Sequence, residues 1–127
     1  MNTLWMTVPA DPGELSRFRR RLRAWLAASE LPEERQDETV IAVHEAMATT
    51  IELGPPETPI AIRASIDDEV IAVDITGGQW HPDHEDEARR LSLIQRLFED
   101  VEIRPDANGT TISLRQPLLS WEVDAVP

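Results

Sequence analysis

Cysteine is absent from this 127-residue chain. That removes disulfide scaffolds, thiol nucleophiles and zinc–thiolate sites from consideration. No apolar run approaches the about 20 residues a membrane span needs, and the N-terminus lacks the charged-then-apolar order of a secretory signal. A soluble cytoplasmic protein is the expectation. Positive charge is scarce: 12 basic residues face 24 acidic ones, for a net charge of −12. Such a field repels a phosphate backbone, so no nucleic-acid partner is expected, whereas a basic protein partner suits it. Lysine is absent as well, and every basic residue is arginine. With abundant alanine, proline and acidic residues, this bias suits a GC-rich bacterial genome, which concerns codons rather than chemistry.

The chain is organised around residues 38–54, ETVIAVHEAMATTIELG. Val40, Met47 and Ile51, with Val43 or His44 between them, recur at helical spacing and define an apolar stripe. Glu45 and Thr49 lie one turn apart, so they share a face beside that stripe. A carboxylate so close to a buried surface is a candidate catalytic group. The plainer reading is a glutamate that is solvated or paired with an arginine. His44 reads as a histidine at the edge of the core.

Around this helix the chain divides readily. Thr3 to Val8 alternates as a strand. Asp11 caps a helix with Pro12 at its first position, and Leu15, Phe18, Leu22, Trp25 and Leu26 mark its apolar face through about Ser29. Arg17, Arg19, Arg20, Arg21 and Arg23 crowd the rest of its circumference, either as a solvated face or as a dock for an acidic protein surface. Pro32 opens the second helix, and Gly54-Pro55-Pro56 stops it. Pro59 to Ile66 and Val70 to Thr76 alternate as two strands joined by Asp67-Asp68-Glu69, which predicts a hairpin. Gln79 to Glu87 reads as a charged loop, and a helix follows from about Asp86 to Glu99. Val101 to Ile103 is a short strand, residues 105–109 are a turn carrying Asn-Gly, and Thr110 to Arg115 is the closing strand. Residues 116–127 form a tail carrying Trp121. This order predicts a single domain over 1–127. Its fold class is α+β: a two-layer sandwich whose mostly antiparallel mixed sheet is covered on one face by helices.

The order and its residues resemble the GHKL ATPase superfamily (the Bergerat-type fold), closest to the bacterial anti-sigma-factor serine kinases of partner-switching systems. The likeness covers about residues 8 to 115. That family carries EAxxNAxxH on its second helix, where this chain has Glu45-Ala46-Met47-Ala48-Thr49-Thr50-Ile51-Glu52-Leu53. The resemblance makes Glu45 the general base and Thr49 the replacement for a magnesium-binding asparagine. A threonine hydroxyl is a poorer ligand at that reach. The family's D-x-G-x-G aligns with Ile75-Thr76-Gly77-Gly78-Gln79, which keeps Gly77 but replaces the adenine-binding aspartate with Ile75. Shifting the register by one recruits Asp74 instead, at the expense of Gly77 and the strand phase. The phosphate-binding G-x-G-L is occupied by Ala88-Arg89-Arg90-Leu91, where side chains obstruct close phosphate approach but Arg89 or Arg90 could attract it electrostatically. Gly109-Thr110-Thr111 keeps the last motif intact, although Asn-Gly-Thr-Thr also makes an ordinary hairpin.

Three parts of the nucleotide site have thus lost their characteristic residues. The expectation is a regulatory protein-binding domain with a degenerate ATP site and no cofactor, acting on a sigma factor or a STAS-type antagonist, as a homodimer like members of the family. It is expected to be no enzyme. Two alternatives stand beside it: an active serine kinase that uses ATP and magnesium, with Arg89 and Arg90 as phosphate clamps, and an α+β interaction module unrelated to the family. His81, Asp83, His84, Glu85 and Asp86 carry metal-ligating groups at a nonspecific spacing, and a solvated loop is the plainer reading, so no metal is expected. Trp80 beside them either fills the vacated adenine space, anchors a partner or packs in the core. The tail segment Leu118 to Val123 either covers a sheet edge or docks to another chain. No Ser-His-Asp set, Walker loop or paired-carboxylate hydrolase pattern is present.

Overall fold

The computed structural model describes residues 2–81 and 84–118, apart from the side chains of residues 84, 86 and 87. The chain runs β1 (Asn2–Val8), a 3-10 turn (Pro12–Glu14), α1 (Leu15–Ala27), α2 (Glu33–Leu53), β2 (Ile60–Ile66), β3 (Val70–Gly77), α3 (His84–Leu97), β4 (Asp100–Asp106) and β5 (Gly109–Pro117). The five strands lie in the order β1-β2-β3-β5-β4, and every neighbouring pair is antiparallel.

The period-2 alternation sorts the strands into two faces. On the inner face one row runs Met6, Ile62, Ile75, Ile112 and Ile103 across all five strands. It shares a single core with Phe18, Leu22 and Leu26 of α1, Val40, Val43 and Met47 of α2, and Leu91 and Ile94 of α3. The helices therefore cover one face, and the molecule is the two-layer α+β sandwich that its pattern predicts. On the outer face the matching row is Trp5, Arg63, Asp74, Ser113 and Glu102. There the Arg63 guanidinium lies over the exposed Trp5 ring, 4.9 Å from its centroid.

Local chemistry sets the element ends. The Gly13 N–H donates to Asp11 Oδ1 at 2.9 Å, which starts the turn into α1. Glu33 and Glu34 occupy the first turn of α2, where the helix dipole favours carboxylates. In the β2–β3 turn Asp67 Oδ1 accepts from the Glu69 and Val70 N–H groups at 2.7 and 2.9 Å. Those two backbone hydrogen bonds hold its carboxyl below the usual range.

Several boundaries differ from the sequence reading. α3 begins at His84, two residues before the expected start at about Asp86, so Glu85 too belongs to its first turn and not to a loop. A run of carboxylates is what a helix N-terminus favours, and its charge conceals that from a hydropathy pattern. β4 extends to Asp106 because Pro105 sits on an edge strand, where a missing N–H costs no ladder bond. The turn is consequently only Ala107–Asn108, and Gly109 already belongs to β5. β5 itself continues through Pro117. Gln116 is buried there, and its Oε1 accepts from the Glu99 N–H at 2.7 Å. Leu118 donates its N–H to the Glu69 carbonyl. Trp121 and the rest of the expected tail lie outside the described residues.

Candidate functional site

The candidate positions gather where the C-terminal half of α2, the end of β3, the start of β5 and the first half of α3 meet. Gly77 closes β3 directly against α2: a Cβ built on it would lie 2.5 Å from Thr50 Cγ2. Gly109, at the start of β5, has φ +147, and a Cβ there would lie 2.2 Å from the Gly77 carbonyl oxygen. Both glycines are therefore required by close packing at this corner.

On α2, Thr49 is buried and Glu45 is half-buried. The Thr49 hydroxyl donates to the Glu45 carbonyl at 2.9 Å, and Thr50 donates to Ala46 in the same way. A hydroxyl bonded to its own helix four residues back lies along the backbone instead of projecting from it. The Glu45 carboxylate makes no hydrogen bond or ion pair among the described residues. Its neighbour His44 receives a hydrogen bond at Nδ1 from Arg19 Nη1 at 3.1 Å. Arginine has no acceptor, so Nδ1 must carry the lone pair.

Ile75 is fully buried at the centre of the inner apolar row. Asp74 faces the opposite side of the sheet, where its Oδ1 accepts from Ser113 Oγ at 2.7 Å. Thr111 also faces outward, with its hydroxyl 2.8 Å from that of Thr76, so it stands apart from the gathered positions. Thr110 faces inward and is fully buried. Its Oγ1 accepts from the Trp80 N–H at 3.0 Å and donates to the Trp80 carbonyl at 2.7 Å. Trp80 is thereby held in the core, beside Gly54 at the end of α2. Its indole N–H is buried and has no hydrogen-bond partner among the described residues.

On α3, Arg90 forms a two-pronged bridge to Glu52 of α2: Nη1 to Oε2 and Nη2 to Oε1, each 2.9 Å. The arginine side chain is 19% exposed and the glutamate 64%. The hydrogen bond and charge of Arg90 lower the Glu52 pKa, and Arg89 nearby adds to the effect. Arg89 itself is exposed.

Sequence reasoning missed Glu52 and the anchoring of Trp80. Glu52 and Arg90 are 38 residues apart, so no local spacing joins them. The one available signal was that Glu52 falls two helical turns after Glu45, on the same side of α2. The metal-ligand cluster is only partly visible, because residues 82 and 83 and the side chains of His84 and Asp86 lie outside the described residues. Among the described residues no group of three His, Cys, Asp or Glu is placed to hold a metal ion.

A helix-covered antiparallel sheet whose second long helix, central strand end and last hairpin converge on one corner defines a GHKL-type ATPase fold. The profile of the histidine kinase-like ATPase domain matches residues 8–116, and the chain belongs to that family. The expected membership of the GHKL ATPase superfamily and the expected architecture accordingly hold. Among solved structures, the RsbU and RsbW domains of Rv1364c from Mycobacterium tuberculosis superpose with a TM-score of 0.74 at 20% identity, over 91% of this chain. This chain spans 32% of the length of that one. No match was found among curated protein sequences.

Proposed function

We propose that this domain is a regulatory protein-binding module that keeps the anti-sigma-factor-kinase architecture while its nucleotide site has become part of its own structure. One observation carries this reading: the groups expected to face a nucleotide are already engaged within the chain. Thr110 holds the Trp80 backbone, Arg90 holds Glu52, and the Thr49 hydroxyl proton is bonded to α2. Ile75 puts a side chain with no polar atom in the place of the adenine-binding carboxylate, and a purine amino group left unpaired there would cost about 1–3 kcal/mol. These residues do not fit ATP and magnesium, and no catalytic step is drawn through them.

The partner in this reading is a sigma factor or a STAS-type antagonist in a bacterial partner-switching circuit, met by a cytoplasmic homodimer. The exposed arginines of α1 support a protein interface. Arg23 pairs with Asp37 at 3.0 Å and Arg17 with Glu14 at 3.7 Å, while Arg20 and Arg21 are exposed and have no partner among the described residues. Calorimetric titration with Mg-ATP and Mg-ADP tests the core of the proposal. No sub-micromolar binding is expected, and finding it would overturn the degenerate site.

A second reading, an active serine kinase, has one observation in its favour. Glu45 remains half-buried and without a partner among the described residues, the state a general base requires. Transfer of labelled phosphate to a serine of the antagonist, lost in Glu45→Ala, is the result that would establish it. Family membership sets aside the third reading, a module unrelated to the GHKL superfamily.

A further inference from the structure

The two edges of the sheet are built differently. The β4 edge carries Asp100, Glu102, Arg104 and Asp106, with Pro105 among them. Charges and a proline keep an exposed strand edge from pairing with another chain. The β1 edge has neither, and β1 alone among the described elements carries no ionisable side chain. Its ladder runs to β2 on one side. Among the described residues, its other side meets no strand and no backbone partner. Thr3, Trp5 and Thr7 are exposed on the outer face, Trp5 to 65%, with the Arg63 guanidinium over the Trp5 ring. Leu4 is half-buried at the rim of the core.

A second copy of the same edge fits this one. Two chains of net charge −12 repel one another over most of their surface, so self-association is least opposed along the strand that has no charge. We propose that two copies join through β1, antiparallel across a two-fold axis at Trp5, and that their two five-stranded sheets become one. This names the surface of the homodimer in the reading above and rests on that reading. Trp5 is the midpoint of the seven-residue strand, so an axis there is the register that pairs every residue of it. Thr3 then lies opposite Thr7 of the partner subunit, and Leu4 opposite Met6 of the partner subunit. The two strands exchange about six to eight backbone hydrogen bonds. On the outer face the two Trp5 rings meet as an aromatic cross-strand pair. On the inner face Leu4 and Met6 carry the apolar layer across the join.

Sedimentation equilibrium of the full chain measures the dimer dissociation constant for wild type and two double variants. Thr3→Lys/Thr7→Lys sets like charges opposite one another at both ends of the pairing, and Thr3→Lys/Thr7→Glu sets opposite charges there. Both variants change the same two exposed positions, and circular dichroism checks that they fold. Wild type is expected to dimerise. The double-lysine variant should dimerise at least tenfold more weakly than wild type, and the lysine–glutamate variant at least tenfold more tightly than the double-lysine one. Two added lysines also reduce the net negative charge, which favours association through any other surface, so the expected loss is specific to β1. Hydrogen exchange on the wild type needs no variant: the β1 amides should become slower to exchange as protein concentration rises. A monomeric wild type would overturn the proposal together with the homodimer reading beneath it. A dimer equally tight in both variants, or β1 amides whose exchange ignores concentration, would overturn the assignment to β1 and leave the homodimer itself standing.

Discussion

Replacing Gly77 with alanine probes why that glycine is present. The added Cβ would lie 2.5 Å from Thr50 Cγ2, against about 3.5–4.0 Å for an ordinary carbon–carbon contact. About 1 Å of movement is needed, and neither side yields easily. Thr50 is 1% exposed and its hydroxyl is bonded to the Ala46 carbonyl at 2.9 Å. Gly77 is paired with Thr110 in the β3–β5 ladder. Overpacking of this kind costs about 1–3 kcal/mol. Because φ at Gly77 is not positive, alanine suits the backbone there and recovers about 0.4–1 kcal/mol through the unfolded chain. The net loss is about 1–2 kcal/mol, or roughly 3–10 °C in Tm for a domain of this size. Thr50→Ser deletes the opposing methyl while keeping the hydroxyl, and alone should cost about 1 kcal/mol. In Gly77→Ala/Thr50→Ser the new methyl enters the space the old one left. The double variant should therefore be no less stable than Thr50→Ser alone, with a coupling of about 1 kcal/mol or more. Urea denaturation followed by circular dichroism measures all four corners of the cycle. If Gly77→Ala is as stable as wild type, or the two effects simply add, the glycine is not held by α2 packing and its retention needs a ligand-based cause.

Thr110→Val removes the hydroxyl that serves both backbone groups of Trp80. Thermal denaturation should show a loss of about 2 kcal/mol or more, because a buried N–H and C=O are then left unpaired. Thr49→Asn restores one family residue but leaves Ile75, Trp80 and the Glu52–Arg90 bridge in place, so calorimetry with Mg-ATP should still show no sub-micromolar binding. Glu52 has a folded-state pKa below the unfolded value of 4.5, so its contribution is complete above that value and fades as pH falls through the lower folded pKa. The Tm difference between wild type and Glu52→Gln should therefore be constant from pH 6 to 8, shrink below about pH 4.5, and narrow with added salt because the glutamate is exposed.

Much of the architecture was legible in the residues themselves. Alternation in β2 and β3, the polar Asp67–Glu69 connection, and the Gly54-Pro55-Pro56 stop are local signals, and they identified their elements with boundaries correct to within a residue or two. The same signals fail where one residue type serves two purposes. The carboxylates of residues 85–87 favour a helix start as readily as a solvated loop, and Pro105 reads as a break until β4 is known to be an edge strand.

The candidate site divides along the same line. The sequence alone supplied the identities of Ile75, Thr49 and Arg90, which the resemblance places at three positions of the family's nucleotide contacts, because identities need no coordinates. It also determined the inward phase of Ile75, since a strand's period of two leaves no other choice once Ile71 and Val73 are core. Only the tertiary structure decided which groups these polar side chains meet. The Arg90 fork closes on a glutamate 38 residues away, the Thr110 hydroxyl spans to the Trp80 backbone 30 residues away, and Gly77 lies against Thr50 across the sheet–helix boundary. These are long-range pairings set by how two layers pack, and one-dimensional spacing carries no information about them.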